Sequence, residues 1–242
     1  LLTGLQVPEG KVLADYLPEG TAFVKCSYDN SSDTVTVSDP QEFVSDVYST
    51  NRSTEGMMIV SHTHDFGGGT ACPCGFNCDH SVVDSATGKC ENCGTQIYVA
   101  SLVKADGTVT NYEAFDDAWI AAVSNEGSTL KLLCDITLNK AENGIIAQSG
   151  KFTLDLNGKT VSGEITNQLL TVSGTADITI RNGKLVNTFS KDSSDINQTC
   201  ANALAIDGGT VTLDVVELTA GHGFKGARSC AAYIFSGSLT VV

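Results

Sequence analysis

Basic residues are scarce in this sequence: 14 Lys and Arg stand against 28 Asp and Glu, a net charge of −14 over 242 residues. Such a chain repels nucleic acid and anionic membranes at long range, so a nucleic-acid partner is not expected. Charge of either sign is sparse, at 17% of residues. No apolar run approaches the ~18 residues that a membrane-spanning helix needs, so this segment is not expected to insert in a membrane. The opening Leu-Leu-Thr-Gly-Leu lacks the basic start and long apolar run of a signal peptide. With no initiator Met, and a strand-like Ser-Leu-Thr-Val-Val at the other end, the expectation is a piece of a longer chain.

What is plentiful is glycine, at 24 residues, within a 41% hydrophobic composition. That combination predicts frequent turns between short buried segments. The length suits one long all-β domain or two ordinary ones.

Cysteine and histidine are concentrated in one place. Residues 62–94, HTHDFGGGTACPCGFNCDHSVVDSATGKCENCG, hold five of the nine cysteines and three of the four histidines. The candidate ligands are His62, His64, Cys72, Cys74, Cys78, His80, Cys90 and Cys93, which make two sets of four. They divide into two similar units: His-x-His then Cys-x-Cys-Gly, and Cys-x-His then Cys-x-x-Cys-Gly. Thiolate and imidazole in fours suit the tetrahedral coordination of zinc, so two structural zinc ions are expected. Gly75 and Gly94, each just after a last ligand, fit a knuckle that turns backbone N–H groups toward sulfur.

Disulfides are the alternative. They would leave the histidines unexplained, and a Cys72–Cys74 bond would be strained. Phe66, Phe76, Val82 and Val83 are too few to offset the entropy of ordering this stretch, whereas metal binding would stabilise it directly. Two pairings are open. The sequential one takes His62, His64, Cys72 and Cys74 for one ion and Cys78, His80, Cys90 and Cys93 for the other. A cross-brace would interleave them. Either way four protein ligands close each site and leave no position for an activated water, so structure is expected rather than catalysis. Lys89 is the only basic residue between His62 and Tyr98, against Asp65, Asp79, Asp84 and Glu91. That argues against a nucleic-acid-binding zinc module.

Beyond Tyr98 the texture changes. Phe115, Ala118, Trp119, Ala122 and Val123 recur at helical spacing, which predicts a helix over about 113–124. Asp116 and Asp117 lie near its start, where they favour the helix dipole. A repeat follows. Aligned on Gly150, Gly174, Gly209 and Gly237, the chain places apolar residues two and four positions on: Phe152 and Leu154, Ala176 and Ile178, Val211 and Leu213, Leu239 and Val241. Polar residues alternate with them, as in strands with one buried face. LNGK at 156–159 and RNGK at 181–184 recur 25 residues apart. Units of about 24 residues with short strands predict a parallel β-solenoid whose layers stack ~4.8 Å apart. An antiparallel sandwich of the same strands is the alternative. Residues 190–199 would be an excursion from one corner. The helix would cover an open end of the stack, with Trp119 as the plug.

The segments GSTLKLLCDITL, FTLDLNGKTVSG and ADITIRNGKL resemble right-handed parallel β-helix regions of pectin-lyase-like type, most of all those of repetitive surface proteins of anaerobic gut bacteria. The Cys-x-His…Cys-x-x-Cys-Gly unit is similar to the cysteine–histidine segments that lie between such β-helices. The first unit departs from that pattern, with His62 in place of Cys and Cys72-x-Cys74 in place of C-x-x-C. The resemblance spans roughly residues 62–242. It implies an all-β architecture, with a double zinc-knuckle-like module over 61–97 and a parallel β-helix with its capping helix over 98–242; the β-rich segment over 1–60 is read as the cap or remnant of a preceding unit. It further implies a non-catalytic scaffold, extracellular or at a cell surface. Its work would be display, adhesion or spacing, with glycan, a host surface protein or neighbouring β-helical units as partners.

The first sixty residues read as a short helix in KVLADYL, a strand ending near Cys26, and β runs in TVTVSD, FVSDVYS and MMIVSH. An enzyme is the rival reading, because β-helices also carry polysaccharide lyases and hydrolases. The outward candidates are Asp155, Asp177, Asp214 and Arg181. Asp155 and Asp214 share a column two layers apart, and Asn157 stacks near Arg181. No carboxylate cluster emerges from this pattern. His222, Lys225 and Arg228 form the one basic knot of the second half and mark a surface patch. A third reading is a partner-binding zinc module, which would expose an apolar patch around Phe66 and Phe76. Cys134, Cys200 and Cys230 read as small buried hydrophobes, with a Cys200–Cys230 bond as an option.

Overall fold

The computed structural model describes residues 8–18, 20–38, 40–44, 55–67, 69–190, 200–222 and 229–242. The chain divides into two compact units. One spans Leu1–Asp84 and Lys89–Thr95, the other Ser85–Gly88 and Gln96–Val242.

In the first unit, KVLADYL supplies one 3-10 turn over Leu13–Tyr16. The Asp15 carboxylate accepts the Val12 N–H at its start. Strands β1 (Thr21–Asp29), β2 (Thr34–Val37) and β3 (Glu55–Ser61) form an antiparallel sheet in the order β2-β1-β3. Alternation along β1 buries Ala22 and Val24, and Leu13, Ala14 and Val44 are buried with them. Of the FVSDVYS run, Phe43 pairs with Val24 and the Val44 N–H donates to the Phe23 carbonyl. The rest of that run lies outside the described residues.

The second unit begins with a hairpin that the sequence pattern did not bring out. Strands β4 (Ala100–Val103) and β5 (Val109–Tyr112) pair antiparallel. The turn is held by Asp106, whose carboxylate accepts the Thr108 N–H at 2.8 Å. Asp106-Gly107 between two β-prone runs was the available signal. Helix α1 (Phe115–Ser124) starts two residues later than the periodicity suggested, because Tyr112 belongs to β5. It buries Phe115, Ala118, Trp119 and Ala122.

Nine more strands complete a curled sheet: β6 (Ser128–Leu132), β7 (Ile136–Thr137), β8 (Ile145–Ala147), β9 (Lys151–Asp155), β10 (Thr160–Gly163), β11 (Gln168–Ser173), β12 (Asp177–Asn187), β13 (Asn202–Thr219) and, last, β14 (Ala232–Val241). Strand β6 pairs antiparallel with β4, and from β6 onward every strand pairing is parallel. An antiparallel sandwich would show the opposite. Three ladders result. One stacks Leu130, Leu154, Ile180, Leu213 and Val241. A second stacks Ile136, Val161, Leu185 and Leu218. A third stacks Ile145, Leu170, Leu204 and Ala232. Like sits on like, and the interior members are almost wholly buried. Each such side chain contributes about 1.5–3 kcal/mol.

The register corrects one sequence alignment. Phe152 is opposite Ile178, not Ala176. A shift of two residues keeps the same face inward, so the alternation still named the buried residues. Gly174 recurs for a reason other than strand phase. A Cβ there would stand 2.4 Å from the Gln148 carbonyl oxygen, so the chain turns against its neighbour without a side chain.

At the start of the stack, Trp119 meets Phe152 edge-on, with ring centroids 5.3 Å apart. Its indole N–H donates to the Ile146 carbonyl at 3.0 Å. Ile146 lies in β8, the first strand of the third ladder, so the indole satisfies a carbonyl on that ladder's open side. The plug role expected of Trp119 rests on these two contacts.

One corner is strained. Asn157, Asn182 and Val215 all adopt left-handed backbone, with φ of 51°, 59° and 55°. Asn157 donates to the Leu132 carbonyl at 2.9 Å and Asn182 to the Asp155 carboxylate at 3.2 Å. Val215 has no such bond to offer, is 74% exposed, and is β-branched, the residue type least suited to positive φ. Val215→Asn is therefore expected to raise unfolding free energy by about 1 kcal/mol, measured by urea denaturation. Val215→Ile should gain nothing.

Candidate metal centre

The first four candidate ligands hang from the sheet of the first unit. Strand β3 ends at Ser61, and the His62 N–H donates to the Gly20 carbonyl at 2.8 Å. The extended step that follows turns His62 and His64 inward while Thr63 is exposed. Asp65 accepts the Gly67 N–H and starts the return. Cys72 and Cys74 then sit in a tight turn: the Cys72 N–H reaches the Phe76 carbonyl and the Gly75 N–H reaches the Cys72 carbonyl, each at 2.9 Å.

The second four repeat this plan. Asp79 accepts the Ser81 N–H beside His80. The Cys90 N–H reaches the Thr95 carbonyl and the Gly94 N–H the Cys90 carbonyl. Gly75 and Gly94 both have positive φ, 89° and 74°, which the turn demands and glycine permits. Other amides are directed at sulfur. They belong to Phe76 for Cys74, His80 for Cys78, Thr95 for Cys93, and Asn92 and Cys93 for Cys90.

The structure brings the eight residues together in two fours, in sequential order and not interleaved. The donor atoms of His62, His64, Cys72 and Cys74 lie within 4.8 Å of one another, as do those of Cys78, His80, Cys90 and Cys93. Nearest approaches are 3.2 Å for His62 Nε2 to Cys72 Sγ and 3.3 Å for His64 Nδ1 to Cys74 Sγ. In the second group they are 3.5 Å for Cys78 Sγ to Cys90 Sγ and 3.3 Å for His80 Nδ1 to Cys93 Sγ. Ligand-to-ligand edges of a zinc tetrahedron are roughly 3.3–3.8 Å, given Zn–S near 2.3 Å and Zn–N near 2.0 Å. A disulfide needs about 2.0 Å. All five of these cysteines are unbonded and buried.

Burial gives the thiols unequal proton affinities. It pushes Cys74 and Cys78 up to about 11. It acts upward on Cys90 too, but the His80 imidazole and the nearby N–H groups outweigh it and bring Cys90 down to about 6. His80 is raised in turn, chiefly by its bond to Cys90. The group on its own holds a mixed set of protonated and ionised sulfurs. A divalent cation would take the place of those protons.

Aromatic rings back the first group. Phe76 stacks on His64 at 4.3 Å, nearly parallel, and Phe43 lies 4.6 Å from His62. Phe66 is buried and Phe76 half-buried. A cleft of about 600 Å³, bordered by Leu17, Pro18, Thr21, His62 and His64, opens beside this group.

The scaffold candidates fare differently. Asp155 is buried, not outward. Its Oδ2 accepts Arg181 Nε at 3.0 Å and pairs with Arg181 Nη2 at 2.9 Å, and its Oδ1 accepts the Asn157 N–H at 2.9 Å. Arg181 stands between Asp155 and Asp214 in the ladder. Asp177 pairs with Lys151 at 2.7 Å, an exposed ion pair of little weight. His222 is exposed and its N–H donates to the Phe189 carbonyl. Lys225 and Arg228 of the same surface patch lie outside the described residues, as do 191–199. Cys200 and Cys230 are free thiols, and Cys230 donates its N–H to the Asn202 side chain. The sequence pattern did not single out Asn187. It is buried, and its amide donates to the Ile165 and Asn202 carbonyls while its Oδ1 accepts the Phe189 N–H. An isolated Asn near a loop carries no signal of that role.

Comparison of the chain with protein-family models, curated proteins and solved structures finds no match.

Metal uptake by the second group must displace the Cys78 proton at neutral pH, a proton from His80 wherever that imidazole is charged, and below about pH 6 one from Cys90 as well. Affinity is therefore expected to fall on acidification, and more steeply below about pH 6. A chelating-dye competition from pH 8 to pH 5 measures this, and flat retention across that range would contradict it.

Proposed function

We propose that this chain is a non-catalytic segment of a bacterial cell-surface or secreted protein, in which a right-handed parallel β-helix serves display, adhesion or spacing. The metal in both four-residue groups is zinc, in a structural role. Glycan, a host surface protein and neighbouring β-helical units are the partners this reading favours.

The observation that carries the reading is the closed donor set. Two imidazoles and two thiols, then one imidazole and three thiols, fill a tetrahedron without leaving a position for water. Mixed sulfur and nitrogen donors favour zinc over calcium or magnesium, which take oxygen. Support for the β-helix comes from the three parallel ladders with stacked aliphatic interiors. Support for a scaffold role comes from the Asp155–Arg181 pair. Its carboxylate is buried and neutralised by the guanidinium, so it is poorly placed to act as a general acid or base on a sugar.

A panel of soluble polysaccharides, assayed for reducing ends and for unsaturated products, tests this directly. No turnover is expected, and Arg181→Ala should leave that result unchanged while lowering stability. Turnover that disappears in Arg181→Ala or Asp155→Asn would establish the carbohydrate-active alternative instead.

A further inference from the structure

The cleft beside the first metal group is lined by residues of the first unit alone and measures about 600 Å³. That is within the range of sites that hold a small molecule or a few residues of peptide. The 3-10 turn, the start of β1 and the step after β3 form part of its wall, and both metal groups border it, through His62 and His64 of the first and Cys78 of the second. Its lining divides by chemistry. Leu17, Pro18, Phe66 and Phe76 give it apolar surface. Asp15 and Asp79 bring two carboxylates, both on exposed residues. Each also holds its own turn: Asp15 accepts the Val12 N–H at 3.1 Å and Asp79 the Ser81 N–H at 2.9 Å. Neither is paired with a described Lys or Arg, and no described Lys or Arg lines the cleft.

The surrounding charge has the same sign. The first unit holds 13 Asp and Glu against 4 Lys and Arg. Metal would not reverse it. A dication with two thiolates leaves the first group neutral, and a dication with three thiolates leaves the second with one net negative charge. Carboxylates in a cleft without a counter-charge draw cations from solution. A bare inorganic cation gains nothing from the apolar wall. A lysine or arginine side chain uses both surfaces, because its methylene stem covers apolar groups while its head stays with a carboxylate.

We propose that this cleft is a binding site for a basic peptide segment of a partner protein, with a Lys or Arg stem on the apolar wall and its cationic head at Asp15 and Asp79. The site depends only on residues of the first unit, and not on the scaffold role proposed above. Peptide binding and polysaccharide turnover are read in separate assays, so the two can fail independently.

Calorimetric titration of the metal-loaded 242-residue chain with acetyl-Leu-Lys-Leu-amide, and with its arginine and glutamine counterparts, tests this. The lysine and arginine peptides should bind with Kd below about 1 mM and weaken as salt rises, and the glutamine peptide should bind at least about fivefold more weakly. D15N/D79N removes both charges and leaves an oxygen for the Val12 and Ser81 N–H groups. It should weaken the lysine peptide at least about fivefold while metal content stays the same. D29N/D33N makes the same change in net charge beyond the far end of the cleft strand, roughly 26 Å along β1 from Thr21, and should alter binding by less than about twofold. Thr63→Lys, at an exposed position on the cleft wall, supplies a tethered cation and should weaken the peptide as well. Equal weakening by D15N/D79N and D29N/D33N would reduce the effect to the general field of an acidic chain and overturn the proposal. Equal binding of the glutamine peptide, displacement of the lysine peptide by an equal concentration of calcium, or no binding up to about 10 mM peptide would also overturn it.

Discussion

Five thiols and three imidazoles, held in two groups each within bonding reach of its own centre, are the constraint on which the first unit depends. The segment from His62 to Gly94 has few apolar side chains, and its turns rest on a few hydrogen bonds and on left-handed glycines at 67, 75, 88 and 94. Burial opposes the ionisation of Cys74 and Cys78, while coordination requires it. A cation would resolve that conflict, and it would join two separate pieces of chain. His62 and His64 come from the end of β3, and Cys72 and Cys74 come from a knuckle ten residues on. The ion would fasten one to the other.

The second unit solves the same problem by other means. Its interior is built from stacked aliphatic side chains. Its weak points are geometric. Parallel layers must turn corners, and at one corner two layers use Asn while a third uses Val215 in the same backbone state. A stack also has ends. One is met by α1, where Trp119 covers Phe152 and bonds to the Ile146 carbonyl.

Much of this was legible in the residues. The eight donors could be named because thiols and imidazoles crowded at such short spacing seldom serve anything but a metal ion, and the repeated His-x-His and Cys-x-His units suggested the sequential grouping. Inward strand positions followed from alternation. Their partners did not, since a period of two cannot tell Ala176 from Ile178 as the neighbour of Phe152. Alternation also fails at corners. Leu154, Asp155 and Leu156 are buried in succession, which is why Asp155 read as an outward carboxylate. The β4–β5 hairpin carried a signal in Asp106-Gly107, weak beside the stronger repeat that follows it. The strain at Val215 carried none, because its φ is imposed by the layers around it.

The central claim is that metal, not sulfur–sulfur bonding, orders the Cys/His segment. Elemental analysis of purified protein, paired with a thiol titration before and after denaturation in chelator, tests it most directly. The account predicts about two zinc ions per chain, with the cluster thiols unreactive until the metal is removed. Metal-free protein with those cysteines oxidised to disulfides would contradict it.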